Sequence, residues 1–216
     1  MKKNTTIQDI QYTLENLFND LSSEYYDNEL PPTLITIMKS RHRKELGWAT
    51  AGEVWHQIEN GNSEEMISYY EINICADALY LSINDIAEIM LHEMAHIYNA
   101  QCHIIDTSRN GTYHNKRFAS TAQAHGLICE STPKNGFAHT ELSNQTINFI
   151  KSKQYDELNL VRQNHHIRNG NYLRYVCHSC GAIIRSTKEV HVLCLDCNIP
   201  FEYEESRKKS SNKIDV

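Results

Sequence analysis

The sequence predicts an α+β protein with a small metal-stapled module appended. Three observations carry this. Apolar residues at helical spacing (Ile7, Ile10, Leu14, Leu17, Phe18, Leu21) precede short strand-like runs, and a second strongly periodic stretch follows them. Four of the seven cysteines sit in two Cys-x-x-Cys pairs near the C-terminus. At 216 residues, 40% hydrophobic and 22% charged, the chain can bury a core in one domain and still carry a smaller one.

Each element has its local cause. Thr6 and Asp9 form a capping box for the first helix, and Pro31-Pro32 ends that unit. Leu34 to Met38 reads as a strand, and Lys39 to Lys44 as a basic turn. Trp48 to Ile58 reads as a second strand, Glu59 to Glu65 as a turn, and Tyr69 to Ile74 as a third strand. Ser82 and Asp85 cap a helix from about Ile83 to Asn99. Gln101 to Tyr113 is a loop. A helix runs from about His114 to His125 and stops at Gly126. Lys134-Asn135-Gly136 is a turn, and another helix lies within Thr140 to Lys153. Tyr155 to Asn171 is polar and suits a linker; Tyr172 to Tyr203 alternates short strands with cysteine pairs. The tail after Glu205 is Ser/Lys-rich, a disordered composition. The expected organisation is 1–150, a linker 151–171, a cysteine module 172–205 and a tail 206–216.

Net charge is −6, unevenly spread. Residues 1–150 hold 10 Lys/Arg and 19 Asp/Glu, residues 151–216 hold 11 and 8. A weakly basic C-terminal third is compatible with phosphate contacts without demanding them. Mean hydropathy is −0.55, and no run approaches the ~18 apolar residues of a membrane span. The basic Met1-Lys2-Lys3 leads into an amphipathic stretch, not the apolar core of a signal peptide. The expectation is a cytoplasmic protein with no membrane partner.

His92-Glu93-Met94-Ala95-His96 lies inside the most periodic helix. At 3.6 residues per turn His92 and His96 project from one face and can grip one metal ion, which neutral imidazoles fit for Zn²⁺. Glu93, about 100° round from His92, can approach a water without binding the metal. The third ligand follows by elimination. No Glu lies between Ile97 and Cys129, and a Gly three and a His six positions beyond His96 are replaced by Asn99 and Cys102. His103, Asp106 and His125 are alternatives; His114, at the start of a helix after a Gly-containing loop, is the best placed.

His92-Glu93-Met94-Ala95-His96, followed 18 residues on by His114-Asn115-Lys116-Arg117-Phe118, resembles the SprT-like metalloprotease family, which includes Spartan. The likeness covers roughly residues 7–130, with Asn115 where that family usually carries Gly. It implies a zincin-like domain of a short sheet packed on helices. It also implies a catalytic Zn²⁺ on His92, His96 and His114, with Glu93 as general base in peptide hydrolysis. For the Spartan branch it implies repair of DNA–protein crosslinks. It further implies an extended substrate near the strands before the motif helix, to which Tyr69–Ile74 could offer a strand edge.

Cys177-His178-Ser179-Cys180 and Cys194-Leu195-Asp196-Cys197, separated by 13 residues, have the spacing of a closed, structural Zn²⁺ site. A redox dithiol, or three Cys plus His191, is the alternative. The family resemblance extends to this stretch, since such proteins often end in a zinc ribbon. Arg168, Arg174, Arg185 and Lys188, interleaved with Tyr172 and Tyr175, are compatible with single-stranded DNA or with an ordinary solvated face. The expected function is a zinc-dependent peptidase acting on nucleic-acid-associated proteins. The alternatives are a non-enzymatic nucleic-acid-binding or regulatory protein on the same scaffold, and a peptidase unconnected with DNA.

Overall fold

A computed structural model describes residues 5–40, 42, 45–57, 66–162 and 172–204. The turn expected at Glu59–Glu65, three residues of the basic turn (Arg41, Arg43, Lys44), His165-His166, Arg168 and the C-terminal tail lie outside them. The chain forms two compact units, Met1–Gln163 and Asn164–Val216, and mixes helices with small sheets as the α+β class requires. Among the described residues no helix is long and apolar enough to cross a membrane.

Helix α1 (Ile7–Tyr26) starts at the expected capping box: Thr6 Oγ1 accepts from Asp9 N–H at 3.1 Å, and Asp9 Oδ2 from Thr6 N–H at 2.9 Å. It buries Ile10, Leu14, Leu17 and Leu21, each such side chain contributing about 1.5–3 kcal/mol. The first sheet comprises β1 (Thr33–Met38), β2 (Gly47–Ala49), β3 (Trp55–His56) and β4 (Ser68–Cys75). β4 is central. β1 lies parallel along one side, from Thr33↔Tyr70 to Met38↔Cys75. On the other side β2 and β3 run antiparallel, with Trp48 opposite Asn73 and Trp55 opposite Tyr69.

Two expectations are corrected here. Trp48 to Ile58 is not one strand, because the chain bends at Ala51-Gly52 between β2 and β3. It nonetheless follows β4: Thr50 N–H donates to the Glu71 carbonyl and Val54 N–H to that of Tyr69, both at 2.9 Å. Both sides of β4 are therefore taken, and a substrate cannot add to Tyr69–Ile74. Among the described residues β1, β2 and β3 each pair with β4 alone, so the open edges of this sheet are theirs, and that of β2 is the one beside α2.

A single 3₁₀ turn (Ala76–Ala78) leads into α2 (Ile83–Gln101), capped by Ser82 and Asp85 as expected. α2 buries Ile86, Met90, Leu91, Met94, Ala95 and Ile97 and lies at the centre of the unit, touching both sheets and the other helices. The second sheet has the order β5 (Thr107–Ser108), β6 (Tyr113–His114), β8 (Gly136–Leu142), β7 (Leu127–Thr132). His114 thus belongs to a short strand, not to the helix. The helix α3 (Lys116–Ala124) begins after it, with Asn115 Oδ1 accepting from Arg117 N–H and Phe118 N–H. The β7–β8 hairpin occupies residues assigned from sequence to a turn and part of a helix. The final helix α4 (Asn144–Lys153) is capped by Ser143. The chain stays on this unit past residue 150. Leu158 is buried in the same core, Glu157 accepts from Ile83 N–H at 2.8 Å, and Tyr155 donates to Asp20.

In the second unit β9 (Leu173–Val176) is flanked by β10 (Ile183–Ser186) and β13 (Glu202–Glu204), while β11 (Leu193–Cys194) and β12 (Ile199–Pro200) form a hairpin. Tyr175 is buried between them, its hydroxyl accepting from Val190 N–H at 3.2 Å.

Candidate metal centre

α2 projects His92 and His96 from one face, and β6 brings His114 up to them. His114 Nε2 lies 3.1 Å from His92 Nε2 and 3.0 Å from His96 Nε2. Donors at the corners of a tetrahedron with Zn–N bonds of about 2.0 Å stand about 3.3 Å apart, so these three nitrogens fit one ion. One ligand atom from each histidine lies within 4.8 Å of the others. His103 is exposed, and His125 stacks on Tyr26 at 4.1 Å, away from the triad.

The strand β6 is held where it must be by Gly136. His114 pairs with Gly136 in parallel register, and Gly136 has φ +64°. A β-carbon there would sit 2.0 Å from the His114 carbonyl oxygen. Beneath the triad lies Phe118, fully buried, its ring centroid 4.6 Å from His92, 4.7 Å from His96 and 4.6 Å from His114. One aromatic side chain on α3 therefore sets the floor against which all three imidazoles pack.

The outer nitrogens have unequal partners. His96 Nδ1 meets Asp106 Oδ2 at 2.7 Å, and Asn99 donates to the same oxygen at 3.1 Å while accepting from Thr121. Asp106, weighed from sequence as a ligand, is instead engaged by the far side of a ligand-bearing ring. His92 Nδ1 meets Thr140 Oγ1 at 3.3 Å, and Thr140 donates to Glu88 Oε1 at 3.1 Å. His114 Nδ1 is buried with no hydrogen-bond partner among the described residues.

Electrostatics follow burial. Burial and the two neighbouring imidazoles push His92 well below the usual histidine range, and burial with His96 brings His114 down to about 4. Both are neutral near pH 7, the form that binds a metal. Burial also pulls on His96, but the Asp106 hydrogen bond and the Glu93 and Asp106 charges outweigh it and raise it. Burial raises Asp106 too, yet its contacts with His96 and Asn99 leave it below its ordinary value. Glu88 is raised by burial against the opposing Thr140 hydrogen bond.

Glu93 is buried on α2 beside β2. A β-carbon at Gly47 would lie 3.6 Å from Glu93 Cγ and 2.5 Å from Ile89 Cγ2, so glycine lets β2 approach the helix at this point.

In the second unit the thiols of Cys177, Cys180, Cys194 and Cys197 lie within 4.8 Å of one another, with Cys180 and Cys194 sulfurs 3.7 Å apart. Tetrahedral Zn–S bonds of about 2.3 Å place sulfurs about 3.8 Å apart, so this set also fits one ion. The two knuckles repeat one design. Gly181 N–H donates to the Cys177 carbonyl and Asn198 N–H to that of Cys194, and both Gly181 and Asn198 have positive φ. The Cys180 backbone N–H, the largest influence, helps bring the Cys177 thiol down to about 7. His191 is exposed and does not join the cluster. Of the basic residues considered for nucleic acid, Arg174 is ion-paired with Glu204, and Arg185 and Lys188 are exposed.

Sequence reasoning missed Thr140 and Glu88. Glu88 had a signal, since it precedes His92 by one helical turn; Thr140 had none, because its hairpin was not foreseen. No curated protein and no solved structure matches the chain. A family model described as SprT-like family matches residues 14–147, which span α2, β6 and α3 and so all three histidines. The chain therefore belongs to the SprT-like family, and its first unit is a metallopeptidase-like domain with a histidine group that could hold a metal ion.

Proposed function

We propose that this protein is a zinc-dependent peptidase, with His92, His96 and His114 holding the ion and Glu93 as catalytic base. The observation that supports this most directly is the convergence of three Nε2 atoms beside a buried carboxylate on the same helix. A zinc ion held there supplies a Lewis acid that acidifies water and polarises the scissile carbonyl. Glu93 receives the proton of the attacking water and delivers it to the leaving amine. Phe118 and the β7–β8 hairpin keep bulk water from the underside of the histidines. The open side of β2, next to Glu93, presents backbone groups to an extended polypeptide. The four cysteines hold a second, structural zinc. The reading places the protein in the cytoplasm, in keeping with seven cysteines of which none is paired in a disulfide.

For the substrate we propose proteins associated with nucleic acid, on the kinship with Spartan, with single-stranded DNA contacted through the C-terminal third. A peptidase unconnected with DNA is the second reading. It is favoured by the described part of the second unit, where Arg174, Arg185 and Lys188 stand against Glu189, Asp196, Glu202 and Glu204. One experiment addresses both: casein cleavage and self-cleavage by the purified protein, with and without single-stranded DNA and with and without chelator. Chelator-sensitive cleavage is expected. Stimulation by DNA supports the first substrate class, DNA-independent cleavage the second, and no cleavage in any arm sinks the peptidase reading.

A further inference from the structure

We propose that Thr140 and Glu88 are positioning residues for His92, a hydroxyl-to-carboxylate relay that fixes which imidazole nitrogen faces the metal. The proposal deepens the zinc-peptidase reading and rests on it for the identity of the ion.

The constraint comes from the number of protons available. A threonine hydroxyl carries one. Thr140 Oγ1 gives it to Glu88 Oε1, 3.1 Å away, and an ionised carboxylate can only accept. The oxygen then has only lone pairs to offer His92 Nδ1 at 3.3 Å, so that nitrogen must carry the hydrogen and donate it. A neutral imidazole protonated at Nδ1 has its lone pair on Nε2, the atom that faces His114 Nε2. The opposite arrangement, with the threonine proton turned to Nδ1, would leave a hydrogen on Nε2 and close His92 to a cation. Glu88 works against that arrangement.

Position supports the count. Glu88 precedes His92 by four residues, so both stand on one face of α2, and Thr140 is a buried residue of β8 that reaches across to them. His96 has a carboxylate in direct contact, Asp106. His92 Nδ1 meets a hydroxyl instead, and the relay supplies the equivalent constraint through that group, borrowed from the hairpin.

The test is metal affinity of the full chain, measured with Co²⁺ and with Zn²⁺ against a competing chelator. The thiolate-to-cobalt absorption of the four-cysteine site serves as an internal control. Thr140→Val should weaken the histidine site about 10–100-fold and leave the cysteine site unchanged. Thr140→Ser should restore affinity. Glu88→Leu should weaken binding as Thr140→Val does, and the double variant should be no weaker than Thr140→Val, because the carboxylate acts only through the hydroxyl. Nitrogen-15 spectra of metal-free protein should show His92 protonated at Nδ1 in the wild type and as a mixture in Thr140→Val. Unchanged Co²⁺ affinity in Thr140→Val, failure of Thr140→Ser to restore it, or fully additive losses in the double variant would each overturn the relay. Wild-type protein that binds zinc tightly and cleaves nothing would sink the peptidase reading while leaving the relay intact.

Discussion

His96 Nδ1 and Asp106 Oδ2 lie 2.7 Å apart, across the imidazole ring from the nitrogen that faces the other two histidines. The carboxylate holds the hydrogen on Nδ1 and turns the lone pair of Nε2 into the triad. Asp106→Asn keeps the size but loses the charge, and its amide can present a donor instead. Zinc affinity of the histidine site should fall about 10–100-fold, with the four-cysteine site unaffected. Chelator competition measures this, and wild-type affinity would remove Asp106 from the account.

Glu93→Gln preserves shape and polarity but cannot take a proton from water. Because the ligand atoms come from the histidines, zinc content should stay at the wild-type level. Peptide cleavage should fall by about 10²–10⁴-fold, the loss typical of a missing general base. Metal analysis alongside a cleavage assay reads both numbers, and a variant as active as wild type contradicts the assigned role.

Phe118 packs within 4.7 Å of all three imidazole rings and is fully buried. Phe118→Ala should cost about 3–5 kcal/mol of stability and loosen the triad, whereas Phe118→Leu should cost less. The two tryptophans, Trp48 and Trp55, both lie in the first unit, so their fluorescence during denaturant unfolding reports on that unit alone.

Acid should destabilise the metal-free first unit. His114, brought from 6.5 to about 4, binds a proton less readily folded than unfolded. The stability this gives is complete above about pH 6.5 and is lost as pH falls toward 4, amounting to roughly 3 kcal/mol. His92 shifts in the same direction, also through burial. His96 shifts the other way, so its contribution is present below pH 6.5 and is lost as pH rises through its raised value. Below pH 6.5 His96 is protonated in both states and adds little slope, so His114 and His92 together predict a net loss between pH 6.5 and 4, seen as a falling denaturation midpoint in chelator. A midpoint that holds or rises over that interval would contradict the lowered values of His114 and His92.

Gly136→Ala should empty the histidine site without touching a ligand. The added carbon would meet the His114 carbonyl oxygen at 2.0 Å, and φ of +64° is strained for alanine in any case. Displacement of β6 should lower zinc affinity of this site while the four-cysteine site stays filled. Retention of normal affinity would mean that β8 can slide without carrying His114.

How much of this could be read from the chain depended on how local each feature is. His92, Glu93 and His96 were visible because one helical repeat places them, and the four cysteines because their spacing survives any surrounding fold. The first capping box and that of α2 were visible for the same reason. His114 was reached by elimination, but its strand was not, since two residues leave no periodicity. Asn115 explains itself only in the structure: its side chain caps α3, which a glycine in that position could not do. The β7–β8 hairpin was missed because Phe137 to Leu142 shows no clean alternation of apolar and polar residues, and the helix was allowed to begin at Thr140, ahead of its Ser143 cap. Trp48 to Ile58 was over-extended because the bend at Ala51-Gly52 divides it while β4 runs unbroken alongside both halves. Asp106 and Thr140 act through contacts 10 and 48 residues distant from their histidines, separations that no local pattern encodes.

The order in which the chain is synthesised gives the hairpin another significance. By residue 114 a ribosome has made all three histidines, and by residue 118 the ring beneath them. Gly136, which holds His114 in place, and Thr140, which touches His92, arrive only later. A half-made chain thus carries every ligand yet lacks the strand that fixes two of them. On the zinc-peptidase reading, the metal centre is expected to mature only after residue 142 has emerged and the hairpin has docked, which would spare the nascent protein a working hydrolytic centre while its own unfolded segments are within reach.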